Sequence, residues 1–295
     1  MIALVVIVVL IGLAFFLLES TRKTGAPTKP PAPSTVHPAP HLKIPPHPAP
    51  KQVPMSSAVP PPAKHAVAPA PRVTGPGSVA IIIDDMGTNL KEVQALLSIG
   101  QPLTFSVIPS LAHAKDVAET AHQAGAEVMV HMPMEPEGYP KQRMEKIGLL
   151  LTMENGEITE RVNSYFRTVP HAVGANNHMG SRFTQNAEKM AVVLEVLKGK
   201  GVYFVDSKTS PASVGYRAAR TLGMRCASRQ VFLDNVQDEA LIGKQLAQVV
   251  AVARKRGSAI AICHPHPATI RALKAMMPQL ARDGVTFVPA SALVS

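Results

Sequence analysis

From residue 78 onward the apolar positions keep switching period. Short β-branched runs, bounded by turn residues, alternate with stretches whose apolar residues recur at three- and four-residue spacing. Residues 79–83, Val-Ala-Ile-Ile-Ile, predict a buried strand that runs directly into Asp84 and Asp85. Residues 89–99 place Leu90, Val93, Leu96 and Leu97 on one helical face and stop at Gly100. The same alternation predicts strands over 103–108, 127–131, 173–177, 202–206, 259–263 and 285–288, with short strand-like pieces at 224–227 and 231–233. Helices are predicted over 112–123, 157–168, 186–198, 211–222, 238–256 and 268–282, most of them closed by glycine. A longer stretch rich in Pro, Gly and charge, 132–153, interrupts the rhythm after the third strand. Such repetition predicts a parallel α/β domain over 78–295.

Ligand-type residues stand at the carboxyl ends of those strands. Asp84 and Asp85 end the first, His131 the third, Asp206 the fifth and His264 the strand over 259–263, while His178 follows the fourth. Polar residues at so many strand ends favour a closed or incomplete barrel with its site at that rim, because an open doubly wound sheet gathers them at one switch point. Asp-Asp-Met-Gly after the first strand is neither a dinucleotide fingerprint nor a P-loop, so nucleotide binding is not expected.

Two adjacent carboxylates repel unless a cation or proton relieves them. Adjacent residues point in different directions, so one of the pair can ligate a metal while the other faces a water. Helix capping alone would also explain an Asp here, but Thr88 and Asn89 are available for that. His131 and His178 are candidate ligands, with Glu135, four residues past His131, able to face the same pocket. One carboxylate and two imidazoles with an open position suit a hydrolytic divalent cation, zinc above all. Asp206 and His264 form a second set, a carboxylate orienting an imidazole that acts as general acid. Arg182 is a candidate to fix the free aspartate, and Asn177 and His266 are expected beside substrate.

Composition divides the chain. Residues 2–18 are seventeen apolar residues without a charge, near the lower limit for crossing a bilayer. No basic n-region or small-residue cleavage site accompanies them, so an uncleaved anchor over 1–19 is expected rather than a signal peptide. Residues 20–77 hold 17 of the chain's 28 prolines and no acid, which predicts an extended linker, a spacer or a partner-binding segment. Seven Lys or Arg and one acid, Glu19, precede residue 78, leaving +4 of the chain's +10 for 78–295. The basic residues are scattered among prolines without aromatics, so nucleic-acid binding is not expected. Arg22 and Lys23 after the span conflict with export under the positive-inside rule. A long spacer still makes best sense for a domain held away from a membrane, so a periplasmic domain on a single-pass inner-membrane anchor is expected. His37, His41, His47 and His65 are too dispersed to bind a metal, and Cys226 and Cys263 read as buried free thiols.

The order Asp-Asp, His, polar loop with Arg, Asp, His resembles the NodB-homology polysaccharide deacetylases. Ile-Ile-Ile-Asp-Asp-Met-Gly, His-Met-Pro-Met-Glu-Pro and Asn-Asn-His-Met-Gly-Ser resemble most closely their divergent polysaccharide deacetylase branch, over about 78–295. The resemblance implies a distorted (β/α)7 barrel and metal-dependent removal of acetyl groups from an N-acetylated glycan. It implies Asp84 as catalytic base, Asp85 and His131 as metal ligands, Arg182 as the arginine holding the base, Asp206 as support of the acid and His264 as the acid. The second histidine of the family's usual H-x-x-x-H segment is Glu135 here, so the third ligand is expected to be His178, with Glu135 as the alternative. Aromatic sugar platforms are scarce, with no Trp and four Tyr. A binding module without catalysis, using the cleft for a glycan or an envelope partner, is the competing expectation.

Overall fold

A computed structural model of the chain describes residues 77–295. The expected anchor and all of the expected linker except Gly77 lie outside the described residues. Among the described residues no helix is long and apolar enough to cross a membrane.

Strands and helices alternate in the order β1 (Ser78–Met86), α1 (Leu90–Leu97), β2 (Thr104–Val107), α2 (Ala114–Gln123), β3 (Glu127–Met134), α3 (Asn155–Thr168), β4 (Ala172–Met179) and α4 (Ala187–Gly199). They continue as β5 (Tyr203–Asp206), α5 (Gly215–Thr221), β6 (Cys226–Ser228), β7 (Val231–Phe232), α6 (Glu239–Arg256), β8 (Ser258–Cys263), α7 (Pro267–Arg282) and β9 (Thr286–Phe287). Every strand pair is parallel. The order across the sheet is β6-β5-β4-β3-β2-β1-β8-β7, and β9 pairs with the start of β1.

β6 and β7 stand at opposite ends of that order, yet only Arg229 and Gln230 separate them in sequence. The sheet therefore curls until its edges approach, giving an incomplete barrel whose seam is a covalent link rather than a ladder. Gln230 secures the link. Its N–H donates to the Ile260 carbonyl at 2.9 Å, and its Oε1 accepts from the Ile260 N–H at 2.6 Å.

Side chains alternate faces along a strand, and two apolar layers result. Ala80 and Ile82 of β1, Met129 of β3, Tyr203 and Val205 of β5, and Ile260 and Ile262 of β8 form the barrel interior. Val79, Ile81 and Ile83, Val128 and Val130, Phe204, Ala261 and Cys263 face the helices in the larger layer. The interior is closed at the amino ends of the strands by Ala290, Val288, Leu293 and Val294. There Glu127 accepts from Thr104 Oγ1 at 3.0 Å, Tyr203 OH at 2.8 Å and the Ser291 N–H at 3.1 Å. At the opposite ends the inward face turns polar, and the mouth of the barrel opens.

Two elements differ from the sequence expectation. β3 continues to Met134, because β4 stays in register with it as far as Met179 and the return limb of the insertion adds a bridge: the Leu149 N–H donates to the Pro133 carbonyl at 2.8 Å and the Glu135 N–H to the Leu149 carbonyl at 2.9 Å. The helix expected over 211–222 shortens to α5, because Ser210 to Ser213 form a turn instead. Cys226 and Cys263 are both buried and unpaired.

Candidate active site

Residue parity along each strand determines what reaches the mouth. Asp84 continues the inward series of Ala80 and Ile82; His131 continues that of Met129; His264 continues that of Ile260 and Ile262. Asn176 and His178 lie out of phase with the helix-facing Ala175, so they share the inward face of β4. Asp85 should point outward, but its backbone turns into the left-handed region, φ 57°, which brings its carboxylate back over the mouth. Asp tolerates that region better than most residues. The cap of α1 is Asn89, whose Oδ1 accepts from the Glu92 N–H at 3.1 Å, so neither aspartate is used as a helix cap.

Asp85, His131 and His178 converge. Asp85 Oδ1 lies 2.8 Å from His178 Nδ1 and 3.2 Å from His131 Nε2, and the two nitrogens are 3.2 Å apart. Donor atoms bound to one tetrahedral zinc at roughly 2.0–2.2 Å would stand about 3.4 Å apart, close to these spacings. Asp85 Oδ1 is also buried without a hydrogen-bond partner. The three residues therefore fit a divalent cation by donor type, by spacing and by an unsatisfied oxygen at their centre.

Asn176 organises the deeper half of the site. Its Nδ2 donates to Asp84 Oδ1 at 2.8 Å, while its Oδ1 accepts from Ser106 Oγ at 2.7 Å and from His131 Nδ1 at 2.6 Å. An amide oxygen only accepts, so His131 carries its proton on Nδ1 and offers the Nε2 lone pair to the mouth.

Charge is focused here. Burial pushes the Asp84 carboxyl above the ordinary range, against the opposing pull of His131 and His264. Burial also opposes ionisation of Asp85, but the facing imidazoles outweigh it and hold its carboxyl well below the usual range. Burial disfavours charge on His131, yet Asp84 and Asp85 raise its pKa. The pocket thus draws positive charge to the point where the three donors meet.

His264 stands on the other side, its Nε2 3.8 Å from Asp85 Oδ2. Its Nδ1 faces Asp234 Oδ1 at 3.1 Å, and its backbone N–H donates to Asp234 Oδ2 at 2.7 Å, an oxygen that also accepts from Thr269 Oγ1 at 2.8 Å. Burial alone would lower the pKa of His264, but the bond to Asp234 and the charges of Asp84 and Asp85 hold it up at about 9.

Four sequence expectations change. Asp206 does not meet His264; it has the parity of the helix-facing Phe204, and its carboxylate accepts from Ser213 Oγ at 2.8 Å and from the Tyr216 N–H at 2.9 Å, anchoring the start of α5. Asp234, which follows the inward-facing Phe232 by two residues, takes that place. Arg182 does not hold Asp84: it reaches Glu135 Oε1 at 2.8 Å. Glu135 is absent from the donor cluster, because its other oxygen accepts from the Leu151 N–H at 2.8 Å. Asn177 is 1 % exposed, and its amide is committed to the Met179 carbonyl, Thr209 Oγ1 and the Ser207 N–H, which leaves nothing for a substrate. His266 is the N-cap residue before α7, its ring 5.5 Å from that of His264.

Arg229 at the seam was not singled out from the sequence. It donates to the Ser207 and Lys208 carbonyls at 2.7 and 3.0 Å, and burial, which lowers its pKa, is opposed by the charges of Asp84 and Asp206. Its guanidinium therefore shares a field with Asp84, the free aspartate.

Known proteins carry the same arrangement of chain. The uncharacterised protein YibQ of Escherichia coli (strain K12) is 41% identical over 219 residues, covering 74% of this chain and 68% of that protein. An uncharacterised Haemophilus influenzae protein is 37% identical over 205 residues, 70% of this chain and 72% of its own. The crystal structure of the uncharacterised protein ATU2773 from Agrobacterium tumefaciens C58 shares the fold, with a TM-score of 0.71 at 23% identity over 75% of this chain and 90% of that one. The family model described as divergent polysaccharide deacetylase matches residues 81–294, a span that begins inside β1 and takes in every side chain at the mouth. On that match and on the identity to YibQ, the chain belongs to the divergent polysaccharide deacetylase family.

Proposed function

We propose that the domain hydrolyses the acetamide of an N-acetylated glycan, with Asp84 as base, His264 as acid and Asp85, His131 and His178 as ligands of a divalent cation, most suitably zinc. The observation that carries this reading is the separation of two carboxylates by role. Asp85 Oδ1 meets both imidazoles at cation-ligand spacing, while Asp84, one residue away, reaches only His131, its Oδ2 3.4 Å from Nε2, and gives its other oxygen to Asn176. Bound in that cluster, the cation would polarise the amide carbonyl and acidify an attacking water.

Asp84 takes the water proton, and burial gives it the raised basicity that this needs. The water oxygen bonds to the acetyl carbon. His264 passes its Nε2 proton to the departing nitrogen as the C–N bond breaks, leaving acetate and a free amine. Asp234 keeps His264 charged and oriented until then. The same reading places the domain on the outer face of a bacterial inner membrane, carried by the apolar and proline-rich stretch that precedes it.

Asp84→Asn should retain the cation and lower acetate release from N-acetylated oligosaccharides by roughly 10²- to 10⁴-fold, the usual worth of a positioned base. Release at the wild-type rate by this variant would remove Asp84 from the role. A binding module without turnover is favoured by Glu135, tied to Arg182 in place of the second histidine that the resemblance implies. Metal analysis separates the two: protein that takes up no cation at stoichiometric zinc belongs to the second reading.

A further inference from the structure

His178 has two ring nitrogens with different neighbours. Nδ1 faces Asp85 Oδ1 at 2.8 Å. Nε2 lies 3.6 Å from Oε2 of Glu145, and that oxygen is buried without a hydrogen-bond partner. A neutral imidazole carries one proton, so the partner of one nitrogen decides whether the other can give its lone pair to a cation. A carboxylate oxygen can only accept. Asp85 Oδ1 and Glu145 Oε2 are both acceptors, so a cation held by Asp85 Oδ1 and the Nδ1 lone pair would leave the proton to Nε2, beside Glu145.

His131 already has such an orienting acceptor in Asn176. Glu145 would give the second imidazole its own. The gap of 3.6 Å exceeds a formed hydrogen bond, and Glu145 has three side-chain torsions with which to close it.

A loop residue orients a ligand only if the loop is itself fixed, and this one is. The Glu145 carbonyl accepts from the Gly148 N–H at 2.8 Å. The turn is close-packed: a Cβ at position 148 would meet the flexible end of Met144, Cε at 1.7 Å, and the Glu145 carbonyl at 3.1 Å. The Gly148 carbonyl accepts from Arg161 of α3 at 3.1 Å, and the Ile147 carbonyl accepts from Tyr165 OH. Leu149 pairs with β3, and Leu151 is bound by Glu135. Glu135, expected as a ligand, thus anchors the limb that delivers Glu145.

We propose that Glu145 is a positioning residue of the candidate metal centre, accepting the Nε2 proton of His178 so that Nδ1 is presented to the cation. This rests on the metal reading above.

The test is zinc affinity by competition with a chromophoric chelator, on wild type, Glu145→Ala, Glu145→Gln and Glu137→Ala, with the absorption spectrum of the cobalt-substituted proteins and the thermal midpoint of each metal-free protein. Glu137, in the same insertion, has a carboxylate that bonds only Gln185 among the described residues and serves as the charge control. Loss of an orienting partner behind a ligating histidine costs roughly 10- to 100-fold in metal affinity. Glu145→Ala should show that loss and an altered cobalt spectrum, at an unchanged metal-free midpoint. Glu145→Gln, which keeps an acceptor oxygen, should regain most of the affinity, and Glu137→Ala should match wild type. Wild-type affinity in Glu145→Ala, or a loss in Glu145→Gln as large as in Glu145→Ala, overturns the positioning role alone. Wild-type protein that binds no zinc overturns the metal reading, and this proposal with it.

Discussion

Single residues at the mouth do work that their neighbours in sequence do not. Asp84 and Asp85 differ because one follows strand parity and the other turns into a left-handed conformation. His264 depends on Asp234 for its charge. Its pKa is raised from 6.5 to about 9, so as a general acid it should remain competent until pH rises through about 9. Asp234→Asn removes the charge and the acceptor that favour the proton, so the alkaline limb of the pH–rate profile should move to lower pH; an unmoved limb would separate the pair from catalysis. Linkage gives the same sign for stability. A group whose folded pKa exceeds its unfolded value stabilises fully below about 6.5, and the contribution is lost as pH climbs through about 9. Wild type should therefore lose more unfolding free energy than Asp234→Asn between those limits, measured by urea denaturation.

Among the elements, strand periodicity was readable from the sequence and explains most of the site. Counting by twos from Ala80, Met129 and Ile260 leads to Asp84, His131 and His264. The same count would have rejected Asp206, which stands two residues after the helix-facing Phe204, and would have found Asp234 two residues after Phe232. It failed because β7 is two residues long, too short for alternation to be recognised before its neighbours in space are known. Glu135 and Arg182 were misplaced for another reason: Glu135 binds the Leu149–Leu151 limb, which returns through an irregular insertion that no periodicity announces, and Arg182 pairs with Glu135. Packing between strands is equally specific. A Cβ at Gly174 of β4 would lie 2.3 Å from the Tyr203 ring of β5. Gly174→Ala should thus displace Tyr203 from Glu127 and cost about 1–3 kcal/mol in chemical denaturation, the range for overpacking a core. Glu135→Ala leaves the Leu151 N–H without its acceptor and should speed hydrogen exchange at Leu149 and Leu151 while leaving the β1 amides protected; unaltered exchange there would deny Glu135 its anchoring role.

The described domain is a curled sheet with two unlike ends. Interior apolar residues fill its lower half, and titratable ones fill its upper half. Both free thiols belong to the buried layers, so a thiol reagent should find neither Cys226 nor Cys263 until the protein unfolds. The described domain runs from Gly77, immediately before β1, to Ser295, whose N–H and carbonyl pair with Cys226 at the start of β6. Parallel strands put both of these points at the closed base. Consequently anything joined directly at Gly77 or at Ser295 attaches about 20 Å, the length of a six-residue strand, from the opening. A large polymer could approach that opening without crossing either of these points.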